Sequence, residues 1–338
     1  MEKKCNRQEL ALMEKTDVVI IGGGPCGLSA AIEIKKTGMQ AVVIEKGNVV
    51  NAIYKYPTHQ TFFSSSERLS IGDIPFITEE RKPKRNQALV YYRNVVTMSG
   101  IDVRAYETAL SVEKEDGFIV TTTKGVYHSK YLVAATGYYD QPNVLEVEGA
   151  ELPKVMHYFK EGHPYFNQDV LVIGGKNSAV DAALELHKAG SRVTVSYHGT
   201  SYSKSIKPWI LPEFDGLVRN GEIRMLFDSM VDRITEDTVE LTADDRKEFI
   251  RNDFVFAMIG YHPNHEFLQS MGIGIDPATG RPEFDEKSME TGVEGLFIAG
   301  VIAAGNNANE IFIENGRFHG QQIAAAIRAK ELGQQEKR

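Results

Sequence analysis

The chain has 338 residues, 42% of them apolar and 25% charged, the balance of a globular protein long enough for two domains. Its net charge of −8 argues against nucleic acid and anionic membranes as partners, and no run approaches the roughly 18 apolar residues of a membrane span. Two cysteines, Cys5 and Cys26, supply neither a disulfide framework nor a zinc pattern, and the charged first fifteen residues lack a signal-peptide core; both features point to the cytoplasm.

Residues 1–16 read as an extension ahead of the fold. Asp17 to Lys46 then reads as strand, turn, helix and strand. The apolar run Val18 to Ile21 leads into Gly22, Gly24 and Gly27, spaced as G-x-G-x-x-G, with Pro25 and Cys26 inside the turn. A helical pattern follows from Leu28 to Lys36, and Gly38 ends it. A second apolar run, Ala41 to Ile44, carries Glu45 at its tip. The first glycine allows a tight turn, the second lets backbone approach a pyrophosphate, and the third lets helix and strand pack closely. The helix N-terminus offers N–H groups to the phosphates, and the acid bonds a ribose hydroxyl.

Asn48 to Ile77 is polar and aromatic with little periodicity, a segment suited to wrapping a flat cofactor through residues such as Asn51, Thr61 and Phe62. Residues 86–99 predict a helix and Ile101 to Glu107 a strand. Three further strands, near 110–114, 117–123 and 127–135, run into Ala135-Thr136-Gly137. Residues 138–168 read as a linker. A second strand–turn–helix–strand unit spans Asp169 to His198. A helix from Trp209 to Asn220 follows, with strands near 223–227, 230–234, 238–241 and 253–260. After His262-Pro263-Asn264 comes a crossing that ends at Ala299-Gly300, and an amphipathic helix over roughly 309–332 closes the chain.

The second unit repeats the first without a gap. Gly22 and Gly23 align with Gly174 and Gly175, Gly27 with Ala179, Glu33 with Glu185 and Gly38 with Gly190. Two dinucleotide-binding units in one chain imply electron transfer from one dinucleotide to another. Glu45 aligns with Tyr197 and Lys46 with His198, so the second unit has no acid to repel a ribose 2′-phosphate. Tyr197, His198, Lys204 and Lys207 could hold that phosphate, which favours NADPH. Lys176 stands where a second glycine is usual, beside Asn177, Ser178 and Ala179.

These features resemble the flavoprotein disulfide reductases of the thioredoxin reductase type over nearly the whole chain. The resemblance implies an α/β fold of two Rossmann-like domains, with FAD bound by residues 1–148 and 263–338 and NADPH by an inserted domain, 149–262. It implies FAD contacts at Gly22, Gly24, Pro25, Gly27, Glu45, Lys46, Asn51, Thr61, Phe62, Thr136, Gly137, Gly300, Val301 and Ile311. NADPH contacts would come from Gly175, Lys176, Asn177, Ser178, Ala179, Tyr197, His198, Lys204, Lys207, Gly260 and Tyr261. Thioredoxin reductases carry a C-x-x-C pair in the nicotinamide domain; this chain has no cysteine beyond position 26, which excludes a dithiol relay.

The runs Gly22 to Gly27, Tyr54 to His59, Gly175 to Ala179 and Ser205 to Phe214 look like the YpdA-type bacillithiol-disulfide reductases. That family implies reduction of a low-molecular-weight disulfide by NADPH and FAD, with Cys26 as the catalytic sulfur, no metal, and a homo-oligomer, dimer or tetramer. On residue type alone Cys26 reads two ways: a thiol whose pKa is lowered by the helix N-terminus, or a small packing residue in the place alanine usually takes. Ferredoxin–NADP reductases of the same fold also lack C-x-x-C and are the alternative. The acidic balance would repel an acidic ferredoxin, and the chain ends soon after its last helix, without their flavin-covering tail.

Overall fold

The computed structural model describes residues 13–307 and 309–335; Cys5 and the remainder of residues 1–12 lie outside them. The chain forms two compact units. The first gathers the residues up to Tyr54, Gln60–Gln141 and the chain from Tyr261 onward, and the second gathers Lys55–His59 and Pro142–Gly260.

The first unit opens with β1 (Glu14–Ile21), α1 (Pro25–Lys36) and β2 (Ala41–Glu45). Residues 14–16, expected in the extension, instead lengthen β1, where they pair with Tyr127–Ser129. Two short helices, α2 (Asn51–Lys55) and α3 (Ser66–Leu69), occupy the segment read as irregular. After them come α4 (Arg85–Ser99), β3 (Asp102–Ala105), β4 (Ala109–Glu115), β5 (Gly117–Thr122) and β6 (Val126–Ala134). The sheet runs β3-β2-β1-β6-β5-β4. Val18 to Ile21 are buried on both faces, as a central parallel strand requires, and that explains their unbroken apolar run.

The second unit contains β7 (Val155–Met156), β8 (Asp169–Ile173), α5 (Asn177–Lys188), β9 (Arg192–Ser196), α6 (Leu211–Arg219), β10 (Ile223–Leu226), β11 (Ser229–Ile234), β12 (Thr238–Ala243), β13 (Arg246–Arg251) and β14 (Phe254–Ala257). A parallel sheet, β10-β9-β8-β14-β7, lies beside an antiparallel one, β11-β12-β13. Alternation along β8 builds two cores. Val170 and Val172 pack with Ala179, Ala183 and Leu186 of α5, while Leu171 packs with Val231, Val239 and Leu241. Most of the expected linker is part of this unit: Leu145, Val147, Leu152 and Val155 pack against the second core.

The chain then returns to the first unit with α7 (His265–Ser270), β15 (Leu296–Ile298), α8 (Ile313–Gly316) and α9 (His319–Gln335). β15 pairs with the end of β6, Leu132 to Ala134. The single closing helix expected from about residue 309 is two helices. Asn315 Oδ1 accepts the Phe312 N–H at 2.7 Å and its Nδ2 donates to Glu310 O at 2.9 Å, which holds the preceding residues in a turn. Among the described residues no helix is long and apolar enough to cross a membrane, and no group of three or more His, Cys, Asp or Glu could hold a metal ion.

Candidate functional site

In the first unit the glycine turn lies at the carboxyl end of β1, where the sheet order reverses between β2 and β6. That is the place where open α/β sheets bind ligands. Gly22 donates to Ile44 O at 2.8 Å and Ala135 donates to Ile21 O at 2.8 Å, so two strand ends converge on one residue. Gly22 has φ +114, and a Cβ there would lie 2.2 Å from Ala135 O. A Cβ on Gly27 would lie 2.0 Å from Gly22 O. These two glycines are demanded by the chain itself. Gly24 is not: it is extended (φ −74, ψ 173), and its Cβ would meet nothing within 4 Å. Its missing side chain leaves space open beside Pro25, the first residue of α1.

Glu45 turns inward at the end of β2. Its Oε2 accepts the Gly23 N–H and its Oε1 the Gly47 N–H, each at 2.7 Å. Burial pushes its pKa up, and those two N–H bonds oppose the rise. Lys46 pairs with Asp140 at 3.1 Å. Asn51 accepts from Asn48 Nδ2 at 3.1 Å and lies against Gly47. Thr61 bridges to Lys84, and Phe62 donates to Pro83 O at 2.9 Å, so both sit on one short ribbon. Thr136 Oγ1 is buried without a hydrogen-bond partner, and Gly137 beside it has φ +68 with open space at its Cβ position.

Cys26 lies in the first turn of α1 against the chain's return. A methyl group on Gly300 would come within 3.1 Å of its Sγ, and one on Gly316 within 3.0 Å. The latter would also come 3.1 Å from Ile311 Cγ2, so Cys26, Gly300, Ile311 and Gly316 form one tight cluster. Part of the residue reaches solvent, but the sulfur itself is enclosed. Burial therefore pushes the thiol up to about 12, against the lowering expected from the helix N-terminus. Val301 begins a short 3-10 turn, Val301–Ala304, just past Gly300.

His319 escaped the sequence reading. Its Nδ1 accepts the Gly300 N–H at 3.1 Å, and burial pushes its pKa down to about 4, so the ring is neutral. A histidine at the start of a helix carries no signal that it bonds a residue nineteen positions back.

The second unit repeats the crossing. Gly174 (φ +129) donates to Ser196 O at 2.9 Å, Met258 donates to Ile173 O at 2.8 Å, and a Cβ on Gly174 would lie 2.4 Å from Met258 O. Lys176 is extended (φ −106, ψ −173) like Gly24, and its side chain is exposed. The Tyr197 ring covers Gly175, whose Cβ would lie 2.3 Å from Tyr197 Cγ, and its centroid lies 4.7 Å from that of His198. Asn177 opens α5, with Ser178 exposed and Ala179 buried behind it. Lys207 Nζ lies 5.5 Å from the Trp209 ring centroid, and Lys204 is exposed. Burial pushes Asp181 up to about 6, opposed by Lys207. Gly260 (φ +96) ends this unit and Tyr261 begins the return, its ring 4.6 Å from that of Tyr139.

A family model described as pyridine nucleotide-disulphide oxidoreductase matches residues 19–300. The chain belongs to that family. Pyridine nucleotide-disulphide oxidoreductases work with a flavin and a nicotinamide, and the first unit fits a dinucleotide. The open space at Gly24 and Gly137 and the unsatisfied Thr136 hydroxyl are what a bound dinucleotide would fill and bond. The chain is 63% identical over 322 residues to the bacilliredoxin reductase Bdr of Bacillus subtilis (strain 168), covering 94% of this chain and 99% of that one. It matches the structure of the bacillithiol disulfide reductase Bdr (YpdA) of Staphylococcus aureus with a TM-score of 0.92 and 60% identity, covering 94% of this chain and 100% of that chain. Thioredoxin reductase from T. acidophilum, 20% identical with a TM-score of 0.76 over 94% of this chain and 99% of that one, shares the fold.

Proposed function

We propose that this oxidoreductase reduces bacillithiol disulfide with electrons from NADPH, using FAD held in the first unit. The observation that carries the reading is the whole-length match, at 60% identity, to a structure named bacillithiol disulfide reductase. The Bacillus subtilis relative is instead named for bacilliredoxin, so that protein is the second acceptor to test.

FAD would supply the two-electron step between nicotinamide and disulfide. The chain's residues hold and orient. Gly27 lets α1 pack on the turn, Gly24 would admit the pyrophosphate, and the first-turn N–H groups of α1 would bond it. Glu45 offers its remaining lone pairs to the ribose while bracing the turn. Asn51, Thr61, Phe62, Thr136, Gly137, Gly300, Val301 and Ile311 complete the pocket. In the second unit, Tyr197, His198, Lys204 and Lys207 would hold the ribose 2′-phosphate, with no carboxylate at the position of Glu45. We place the enzyme in the cytoplasm as a homo-oligomer.

Cys26 is the proposed protein sulfur of the path. The thiolate is the attacking species, so its enclosed thiol must lose a proton before it can open a disulfide. Stopped-flow reoxidation of the NADPH-reduced enzyme tests both parts. Bacillithiol disulfide should reoxidise the wild-type flavin, and Cys26→Ala should slow that step to the rate seen without disulfide. Unchanged reoxidation in the variant removes Cys26 from the path. Turnover with ferredoxin but with neither bacillithiol disulfide nor bacilliredoxin would replace the proposed function with ferredoxin reduction.

A further inference from the structure

Asn177 is the first residue of α5, where the second glycine turn opens. Both ends of its side chain are engaged by the loop that follows β9. Its Nδ2 donates to Ser205 O at 2.8 Å, and its Oδ1 accepts the Lys207 N–H at 3.0 Å. One amide thus grips the backbone on either side of Ile206, which is buried in the core of the unit. The loop has no regular structure over residues 197–206. Its first residues are tied to β10 and β11, through Tyr197 with Leu226 and Ser229 and through Gly199 O, which accepts the Asp228 N–H. Around the lysines its other backbone and hydroxyl bonds are local, with the Ser203 and Ser205 hydroxyls 2.8 Å apart, the Ile206 N–H donating to Ser203 O and the Ile210 N–H to Lys207 O.

This loop carries Lys204 and Lys207, the cations assigned above to the 2′-phosphate. Lysine is a flexible point charge, and its contribution to a phosphate site depends on how well its backbone is placed beforehand. Asn177 supplies that placement from the rigid end of a helix. Burial raises the pKa of the Asp181 carboxyl, one turn further along α5, and the Lys207 charge opposes that rise, so the ammonium lies close to the helix that Asn177 begins.

We propose that Asn177 is a positioning residue for nucleotide selectivity: it fixes the lysine-bearing loop to the start of α5, and so favours 2′-phosphorylated dinucleotides over unphosphorylated ones. The inference rests on the NADPH reading. Two hydrogen bonds are at stake, and their loss corresponds to about tenfold in affinity.

Trp209 is the only tryptophan of the chain and lies in the same loop, so its emission reports binding directly. The FAD-loaded enzyme is titrated with 2′,5′-ADP and with 5′-AMP. Wild type should bind 2′,5′-ADP more tightly. Asn177→Ala should weaken 2′,5′-ADP by about tenfold and 5′-AMP by less than about twofold. In a Lys204→Ala/Lys207→Ala background, Asn177→Ala should add no further loss. Asn177→Ser, too short to span both backbone groups, should repeat the pattern and serves if the alanine variant does not fold. Equal weakening of both nucleotides, or undiminished weakening in the double-lysine background, would show that Asn177 acts on the part of the nucleotide that both share, and would overturn the inference. Wild type that does not distinguish the two nucleotides would instead overturn the NADPH reading, and the inference with it.

Discussion

The two glycine turns share their crossing and differ in what sits above it. At Gly22 and at Gly174 the same pair of backbone bonds forms, at 2.8 and 2.8 Å in one and 2.9 and 2.8 Å in the other. Both glycines have strongly positive φ and press on a carbonyl of the adjoining crossover, Ala135 or Met258. Steric contact within the chain dictates that part, so it recurs. The residues above the crossing do not recur. A buried carboxylate braces Gly23 in the first unit, and an aromatic ring lies over Gly175 in the second. Gly27 is replaced by Ala179 and Gly24 by Lys176. Seven of the twelve residues of α1 are buried, and Gly320 of α9 comes so close that a Cβ there would lie 2.8 Å from the Ala30 nitrogen. The first turn is enclosed by its own chain, which suits a resident group.

The third glycine gives the sharpest test of that difference. Gly27→Ala puts a methyl 2.0 Å from Gly22 O and 3.2 Å from the Ala135 methyl, too close to a backbone carbonyl for a small shift to relieve. The expected outcome is a protein without bound flavin, read as loss of visible absorbance per chain. The reciprocal change, Ala179→Gly, should leave flavin in place and cost about 1 kcal/mol through helix entropy, read as a small fall in melting temperature. Equal tolerance at the two positions would break the comparison.

His319 has no counterpart in the second turn and makes the first one sensitive to acid. Its folded pKa of about 4 lies below the ordinary 6.5, so below pH 6.5 the unfolded chain takes up a proton that the folded chain refuses. Stability from this group is full above about pH 6.5 and falls as the pH drops toward 4. The gap corresponds to about 3 kcal/mol. His319→Asn keeps an acceptor for the Gly300 N–H and removes the titration. Urea-induced flavin release, followed at pH 7 and pH 5, should therefore be less pH-dependent in the variant. Identical pH dependence would remove His319 from the account.

Much of this architecture is written locally, and that is why it could be read. G-x-G-x-x-G spacing, an apolar run on each side and Gly38 or Gly190 after the helix are contiguous signals, and the parallel sheets follow from them. The Ala135-Thr136-Gly137 crossing was legible for the same reason. What escaped depends on partners distant in sequence. The Cys26 sulfur is enclosed by Gly300 and Gly316, close to three hundred positions away, and a helix-terminus argument alone gives its pKa the wrong direction. Residues 142–168 lack periodicity, yet Leu145, Val147 and Leu152 find a core supplied by β11–β13. β13 itself, RKEFIR, was missed because most of its side chains face solvent and only Ile250 is buried.

The smallest effect contrasts the residues above Gly23 and Gly175. Glu45 accepts two backbone N–H bonds with its two carboxylate oxygens. Glu45→Gln must turn an NH2 group toward one of those donors, leaving a buried N–H unsatisfied, at a cost of about 2 kcal/mol. Tyr197→Phe keeps the ring over Gly175 and removes only the hydroxyl, so its cost should stay within about 0.5 kcal/mol. Thermal unfolding of the two variants measures both. The ranking follows from what each residue does to the turn beneath it, a hydrogen-bonded brace in one unit and an apolar cover in the other. A Tyr197→Phe cost as large as that of Glu45→Gln would mean that the second turn also depends on a polar brace, and the distinction between the two turns would then have to rest on Gly27 and Ala179 alone.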